Sequence, residues 1–217
     1  MLNDKAKTKP AGVKVSKSML LQLTGPERSQ AIHALRMIDR VNGDGELPLT
    51  QIVKGPIYSM WEMEYDPAEN SMTANTGKIA DMEFKIIHEV GHMLDYQIFG
   101  SGKGYGSERG IIEMQGWREA VLASNAYKNL KDIFDHGFLV GAQSDYVAEF
   151  MMERELFSRS YVQYIAQRSE NGVLLHQLDC ILKRDVNRLI STQWTKDDFM
   201  LISKEIDKLF GSKYWTL

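Results

Sequence analysis

The stretch FKIIHEVGHMLD, residues 84–95, decides how this chain is interpreted. Its two histidines, His88 and His92, are four residues apart, so on a helix they lie one turn apart on one face. Both imidazoles can then reach a single metal ion. Glu89 stands beside them, where a carboxylate can take a proton from a water molecule on that metal. The uncharged residues around the motif predict a buried helix over about residues 79–98.

Two further residues of this stretch favour a metal-binding helix. Gly91 lies in mid-helix, where glycine costs about 1 kcal/mol relative to alanine, so it predicts the close approach of another backbone or of a substrate. Asp95 follows His92 by three residues on the same face, and we expect it to accept the free N–H of a ligating imidazole. The competing interpretation is a helix whose two histidines bind nothing.

Composition limits the class of protein. The chain has 217 residues, of which 43% are hydrophobic and 25% charged, as in an ordinary globular domain. The net charge of −3 gives no reason to expect a nucleic-acid partner. Cys180 is the only cysteine, so an intrachain disulfide is impossible and a reducing compartment is favoured. Without an apolar signal segment or a long apolar run, we expect a cytoplasmic protein with no membrane association.

The order of predicted elements indicates an α+β domain that is mainly helical. Residues 1–17 carry five lysines against one aspartate and predict a disordered basic leader. Residues 18–217 then form one domain, with a small N-terminal sheet before the motif helix and a helical C-terminal half. The predicted strands cover residues 49–53, 57–65 and 71–76, and the other predicted helices begin at Gly25 or cover residues 111–130, 145–168, 173–190 and 196–210.

The loop after the motif helix is rich in glycine, with five between residues 99 and 110. Two interpretations remain open for it. It is either a lid or rim of a cleft above the metal, or a plain mobile connection.

A catalytic metal needs a third protein ligand beyond the two histidines. A histidine six residues after His92 would supply it in one group of enzymes, but that position is Ile98. The other histidines, His33, His136 and His176, lack supporting context. A glutamate from a later helix is therefore expected, and the candidates are Glu113, Glu119, Glu149, Glu153 and Glu155.

The segment ELFSRSYVQY, residues 155–164, resembles a conserved part of gluzincin-type peptidases of the anthrax lethal factor class. It is closer still to the zincin-like metallopeptidase domains attached to phage head-morphogenesis proteins. The resemblance implies a zincin-like fold, Zn²⁺ as cofactor, and His88, His92 and Glu155 as its ligands. It also implies Glu89 as the general base and Asp95 beside the ligands. Glu149 is the alternative third ligand, because Ala148-Glu149-Phe150 also resembles that class.

The chain departs from this family at one position. The lethal factor class has a tyrosine seven residues before the ligand glutamate, where it stabilises the oxyanion, and this chain has Ala148 there. Tyr146 is the nearest tyrosine. It either takes over the role or is an aromatic residue of the core or cleft rim. Losing one oxyanion donor typically costs about 10²–10³ in rate.

The resemblance leads to three functional hypotheses. The first is a zinc-dependent endopeptidase of a phage or mobile element, acting on a protein or peptide in the host cytoplasm or the virion, with Glu89 activating the water. The second, motivated by Ala148, is a catalytically weak zincin-fold binding or structural module. The third is a metalloprotease of the kind that inactivates phage repressors.

Overall fold

The computed structural model describes residues 15–42, 47–56, 62–75, 81–137, 141–188 and 190–212. Within these ranges the chain is mainly helical with one small sheet near the N-terminus, which confirms the predicted α+β class. No helix in the described ranges is both long enough and apolar enough to cross a bilayer. The helices are α1 (Gly25–Asn42), α2 (Met82–Leu94), α3 (Gln115–Ala123), α4 (Asn125–Asp135), α5 (Ala142–Phe150), α6 (Glu153–Ser169), α7 (Gly172–Arg188) and α8 (Lys196–Ser212).

Four short strands form the sheet in the order β1-β2-β4-β3. They are β1 (Met19–Leu21), β2 (Thr50–Lys54), β3 (Met63–Asp66) and β4 (Ser71–Ala74). The pairs β1–β2 and β2–β4 are parallel, whereas β3 runs antiparallel to β4 and forms an edge. The turn from Asp66 to Asn70 joins β3 to β4. The Asp66 carboxylate accepts the N–H of Ala68 and so stabilises this turn. The predicted strand segment 57–61 lies outside the described residues.

Helix α2, which carries the histidine motif, is the centre of the domain. It packs between α1 and α6 and also contacts β3. Ile86, Ile87, Val90 and Met93 are fully buried because neighbours cover the helix on several sides. The histidine motif therefore lies on a rigid element.

Three predicted helices differ from the observed ones. Helix α2 ends at Leu94 and continues as a π-helical turn over Asp95–Phe99. The helix predicted over 111–130 is interrupted at Ser124, whose side chain caps α4 by accepting the N–H of Tyr127. The helix predicted over 145–168 is interrupted at residues 151–152, so α5 and α6 are separate helices.

The packed part of the chain begins before the predicted boundary at residue 18. Val15–Ser18 form a 3₁₀ turn in which Val15 is buried. The Ser16 hydroxyl donates to the Asp39 carboxylate on α1 at 2.5 Å. Residues 15–17 of the predicted leader thus belong to the domain, while residues 1–14 lie outside the described residues.

Candidate metal centre

Three predicted ligands converge on one point between α2 and α6. His92 Nε2 lies 2.9 Å from Glu155 Oε1, and His88 Nε2 lies 3.3 Å from Glu155 Oε2. The two imidazole rings are edge to face, with 4.8 Å between their centroids. Ligand atoms of all three residues lie within 4.8 Å of one another, so the group could hold a metal ion.

The break between α5 and α6 brings Glu155 to this point. Met152 has an extended backbone (φ −62°, ψ 138°), which places Glu155 in the first turn of α6. Glu149 lies on α5 and is not a member of the His-His-Glu group. Glu113, Glu119 and Glu153 are also outside the group, and Glu153 instead forms a two-bond ion pair with Arg118.

Gly91 and Ser158 explain why α2 and α6 approach so closely. A Cβ atom added to Gly91 would lie 2.9 Å from Ser158 Cα and 3.2 Å from Ser158 Cβ. Non-bonded contacts of a Cβ atom with other residues are essentially never shorter than 3.0 Å, so a larger residue at position 91 would separate the helices. The backbone approach predicted from Gly91 is therefore observed, and it holds Glu155 against the two histidines.

The pKa values of these three residues depend on their burial and on one another's charges. Burial raises the pKa of Glu155, but the adjacent His92 and His88 outweigh burial and hold it well below its usual range. Burial lowers the pKa of His92, yet the Glu155 carboxylate outweighs burial and raises this pKa to about 9. Burial lowers the pKa of His88. Without a metal, a proton on His92 thus balances Glu155, and a cation can take the place of that proton.

Glu89 links the motif helix to the edge strand. Its Oε2 accepts the backbone N–H of Tyr65 on β3 at 2.9 Å. Burial raises the pKa of Glu89 to about 8. The β3–β4 register pairs Glu64 with Thr73, and the Asn75 N–H donates to the Glu62 carbonyl. The backbone groups of Met63 and Tyr65 therefore point away from β4, toward Glu89.

The structure places Asp95 differently from the prediction. Its fully buried carboxylate accepts two hydrogen bonds from Ser107, one from the backbone N–H at 2.8 Å and one from the hydroxyl at 2.5 Å. His92 Nδ1 is buried and has no hydrogen-bond partner among the described residues. Asp95 therefore anchors the following loop and does not accept from His92 in this structure. Burial raises the pKa of Asp95 to about 6.

The glycine-rich loop is a compact structure at the end of α2. The N–H groups of Gly100 and Gly106 both donate to the Asp95 carbonyl. A Cβ atom at Gly100 would overlap the Gly104 carbonyl oxygen at 1.6 Å, so only glycine fits there. Residues 99–110 do not line the cleft that His88, Glu89 and Glu155 share, so of the two open interpretations the lid or rim finds no support. The loop instead packs behind the site, with the Tyr105 ring 5.9 Å from that of His92.

A cleft of about 240 Å³ opens onto the predicted catalytic residues. His88, Glu89, Glu155 and Tyr146 all line it, so Tyr146 shares a cleft with the candidate centre. The Tyr146 ring packs on Phe150 with 4.5 Å between centroids. Helix α7 and residues 190–193 form another part of the wall.

Sequence reasoning missed Arg159, which also lines this cleft. It lies one turn after Glu155 on α6, inside the segment that carries the family resemblance, so its spacing was a usable signal. The guanidinium is buried and donates to the carbonyls of Phe150, Thr192 and Ser191 at 2.9, 2.5 and 3.2 Å. Burial lowers its pKa to about 10, which leaves it charged at neutral pH.

Comparison of the chain with protein-family models, with curated proteins and with solved structures gave no match. The functional assignment therefore depends on the chemistry of the site itself.

Proposed function

We propose that this protein is a zinc-dependent endopeptidase of the gluzincin type. The observation that carries the proposal is the convergence of His88 Nε2, His92 Nε2 and the Glu155 carboxylate, with Glu89 facing the same cleft. Two imidazoles and one carboxylate are the protein ligands of catalytic zinc in known peptidases, which leave a fourth position open. The Glu155 carboxylate satisfies both Nε2 atoms here, as expected for ligands that share one cation.

Zinc, when bound, supplies a Lewis acid that makes water acidic and polarises a carbonyl group. Glu89 supplies the proton transfers. With Oε2 held by the Tyr65 N–H, Glu89 Oε1 takes the proton of the attacking water and passes it to the leaving amine. A cation beside the buried Glu89 favours its carboxylate form, which is the form that accepts the proton.

The edge strand and Tyr146 complete the proposed mechanism. An extended peptide can pair with the backbone N–H and carbonyl of Met63, which point away from β4 at the cleft wall. This pairing carries the scissile carbonyl past Glu89. The Tyr146 hydroxyl donates to the oxyanion, in the role that Ala148 cannot take.

Metal content tests the ligand set. Wild-type protein purified without added metal should contain about one zinc per chain by mass spectrometry. Glu155→Ala should weaken zinc binding at least about 100-fold, because removing even a residue that only hydrogen-bonds to a metal ligand lowers metal affinity about 10–100-fold. Glu149→Ala is the matched control and should keep its zinc. A wild-type protein that takes up no zinc would refute the proposal.

Glu89→Gln tests the catalytic role separately from binding. The variant should retain zinc, since Glu89 is not a ligand, while cleavage of a peptide library falls by about 10²–10⁴. Cleavage at the wild-type rate would show that Glu89 is not the base.

The alternative function is a zincin-fold binding or structural module with little turnover. The observation that favours it is Ala148 at the position of the oxyanion tyrosine. Full zinc occupancy without cleavage of any library peptide would select this alternative.

A further inference from the structure

Gln193 is a buried polar residue in the cleft wall that the proposed mechanism does not use. Only 6% of its surface is exposed, and its Oε1 has no hydrogen-bond partner among the described residues. The side chain lines the same cleft as His88, Glu89 and Glu155. A buried amide oxygen without a donor is costly, so Gln193 is suited to a donor that arrives with a ligand.

The segment around Gln193 is fixed in place next to the candidate centre. Arg159 lies one turn after Glu155 and holds the carbonyls of Ser191 and Thr192. Asp185 on α7 accepts the N–H groups of Thr192 and Gln193 at 2.6 and 3.0 Å. Because Gln193 and Glu155 line the same cleft, this segment is placed to contact a substrate side chain near the scissile bond.

The charged groups of this wall are of both signs, and hydrogen bonds or ion pairs of the protein hold them. Arg159 donates to three backbone carbonyls, and Asp185 accepts from the backbone and hydroxyl of Thr192 and from the backbone of Gln193. At the cleft mouth, Lys85 pairs with Glu62 at 3.2 Å. Arg184 also pairs with Asp81 in this wall at 3.4 Å. A charged ligand group entering the recess would therefore lose hydration and meet charges of both signs.

Part of the remaining wall is apolar. Phe150, Ile181 and Ile190 contribute hydrophobic surface to the cleft. A ligand side chain that fits this recess combines an apolar stem with an uncharged hydrogen-bond donor at its end. Glutamine has this combination, whereas methionine has a similar length without the donor.

Resting on the proposed function, we infer that Gln193 forms the base of a substrate subsite that selects a glutamine-like side chain next to the scissile bond. On binding, the Gln193 amide turns so that its Oε1, which is buried in the free protein, accepts from the substrate's terminal amide. The substrate's methylene groups pack on the apolar part of the wall. Residues with a charge at this position are disfavoured.

The test compares cleavage-site profiles of a proteome-derived peptide library digested by zinc-loaded wild type, Gln193→Leu and Gln193→Glu. For wild type we expect glutamine to exceed methionine about tenfold at one position within two residues of the cut, the ratio expected of one hydrogen bond in a dry site. Gln193→Leu should reverse this preference. Gln193→Glu should favour lysine there, because it adds an unpaired carboxylate of the same size.

Gln177→Leu is the matched control. Gln177 on α7 is also buried and also has an unpartnered Oε1, but it does not line the cleft and its amide donates to Glu83. Its cleavage profile should equal that of wild type. A second measurement uses calorimetry on zinc-loaded Glu89→Gln, which should bind peptides without cleaving them. One cleaved peptide is compared in a glutamine and a methionine version, and the glutamine version should bind more tightly.

The outcomes separate the two proposals. Cleavage with identical profiles for wild type and both Gln193 variants would overturn the subsite and leave the peptidase intact. A wild-type preference for charged or purely aliphatic residues at every position near the cut would also overturn it. A zinc-loaded wild type that cleaves no peptide would overturn the proposed function and the subsite together.

Discussion

Gly91→Ala tests whether the contact between α2 and α6 holds the candidate centre together. The added Cβ would lie 2.9 Å from Ser158 Cα, which is backbone and can move only with α6. Overpacking of this kind typically costs about 1–3 kcal/mol. Alanine recovers about 1 kcal/mol of helix propensity. The free energy of unfolding should therefore fall by about 1 kcal/mol, which lowers Tm by about 2–4 °C in a domain of this size.

Zinc affinity provides a second readout of the same change. Ser158 lies one turn after Glu155, so a displacement of α6 also moves the third ligand away from His88 and His92. We expect weaker zinc binding in Gly91→Ala by calorimetry. Ser158→Gly in the same chain should restore part of the loss, because it removes the Cβ and Oγ atoms that lie 3.2 Å from the added methyl group.

Gly211→Ala is the control for helix propensity alone. This glycine lies near the end of α8, and a Cβ atom there would meet nothing within 4 Å among the described residues. Its stability should stay equal to wild type or rise slightly. If Gly91→Ala and Gly211→Ala changed the unfolding free energy equally in urea titrations, the argument from helix approach would be refuted.

Three other substitutions test the packing around the site. Asp198→Ala removes the carboxylate that accepts the first two backbone N–H groups of α4 at 2.8 and 2.9 Å. Urea titration should show that the free energy of unfolding falls by about 1 kcal/mol, and an unchanged unfolding midpoint would contradict this capping role. Ser107→Ala removes the hydroxyl donor of Asp95 and keeps the backbone N–H donor. The folded pKa of Asp95, about 6, exceeds its ordinary 3.8. The stability that the protonated Asp95 contributes is lost as pH rises through about 6, and loss of the Ser107 hydroxyl deepens this effect, because the hydroxyl stabilises the carboxylate. Metal-free Ser107→Ala should therefore be more destabilised at pH 8 than at pH 5. An equal loss of stability at both pH values would contradict this reasoning. Arg159→Met leaves three carbonyls without their donor and should lower the free energy of unfolding by about 3 kcal/mol or more. Arg154→Met breaks only a partly exposed ion pair and should lower it by under about 1 kcal/mol, as measured by thermal unfolding. Equal losses of stability in the two variants would contradict this ranking.

The metal helix was predictable because its evidence is local. The spacing of His88 and His92 places both on one helix face, and Gly91 in mid-helix indicates a close neighbour. The mainly helical class and the small N-terminal sheet likewise follow from apolar periodicity and turn residues. The prediction of Glu155 as third ligand depended on the family resemblance, because the residues alone left five candidate glutamates.

The interruption between α5 and α6 could not be predicted from local sequence. Residues 145–168 contain neither glycine nor proline, so periodicity favours one continuous helix. The Phe150 carbonyl at the end of α5 instead accepts from Arg159, nine residues later. This long-range bond stabilises an end that local propensity does not favour, and the interruption sets the orientation of Glu155.

The partner of Asp95 was also decided by tertiary structure. Its position three residues after His92 favours a bond to a ligating imidazole, but the loop returns Ser107 to the same carboxylate. Two donors from one serine satisfy this buried group, and only the folded loop brings them there.

The sequence by itself determined the motif helix, the face that carries both histidines and the class of the fold, because each depends on residues within one or two turns of one another. Tertiary structure alone decided the orientation of Glu155, the partner of Asp95 and the cleft wall at Gln193. These features depend on contacts between segments that are distant in the chain, and such contacts form only when burial of the core brings the segments together.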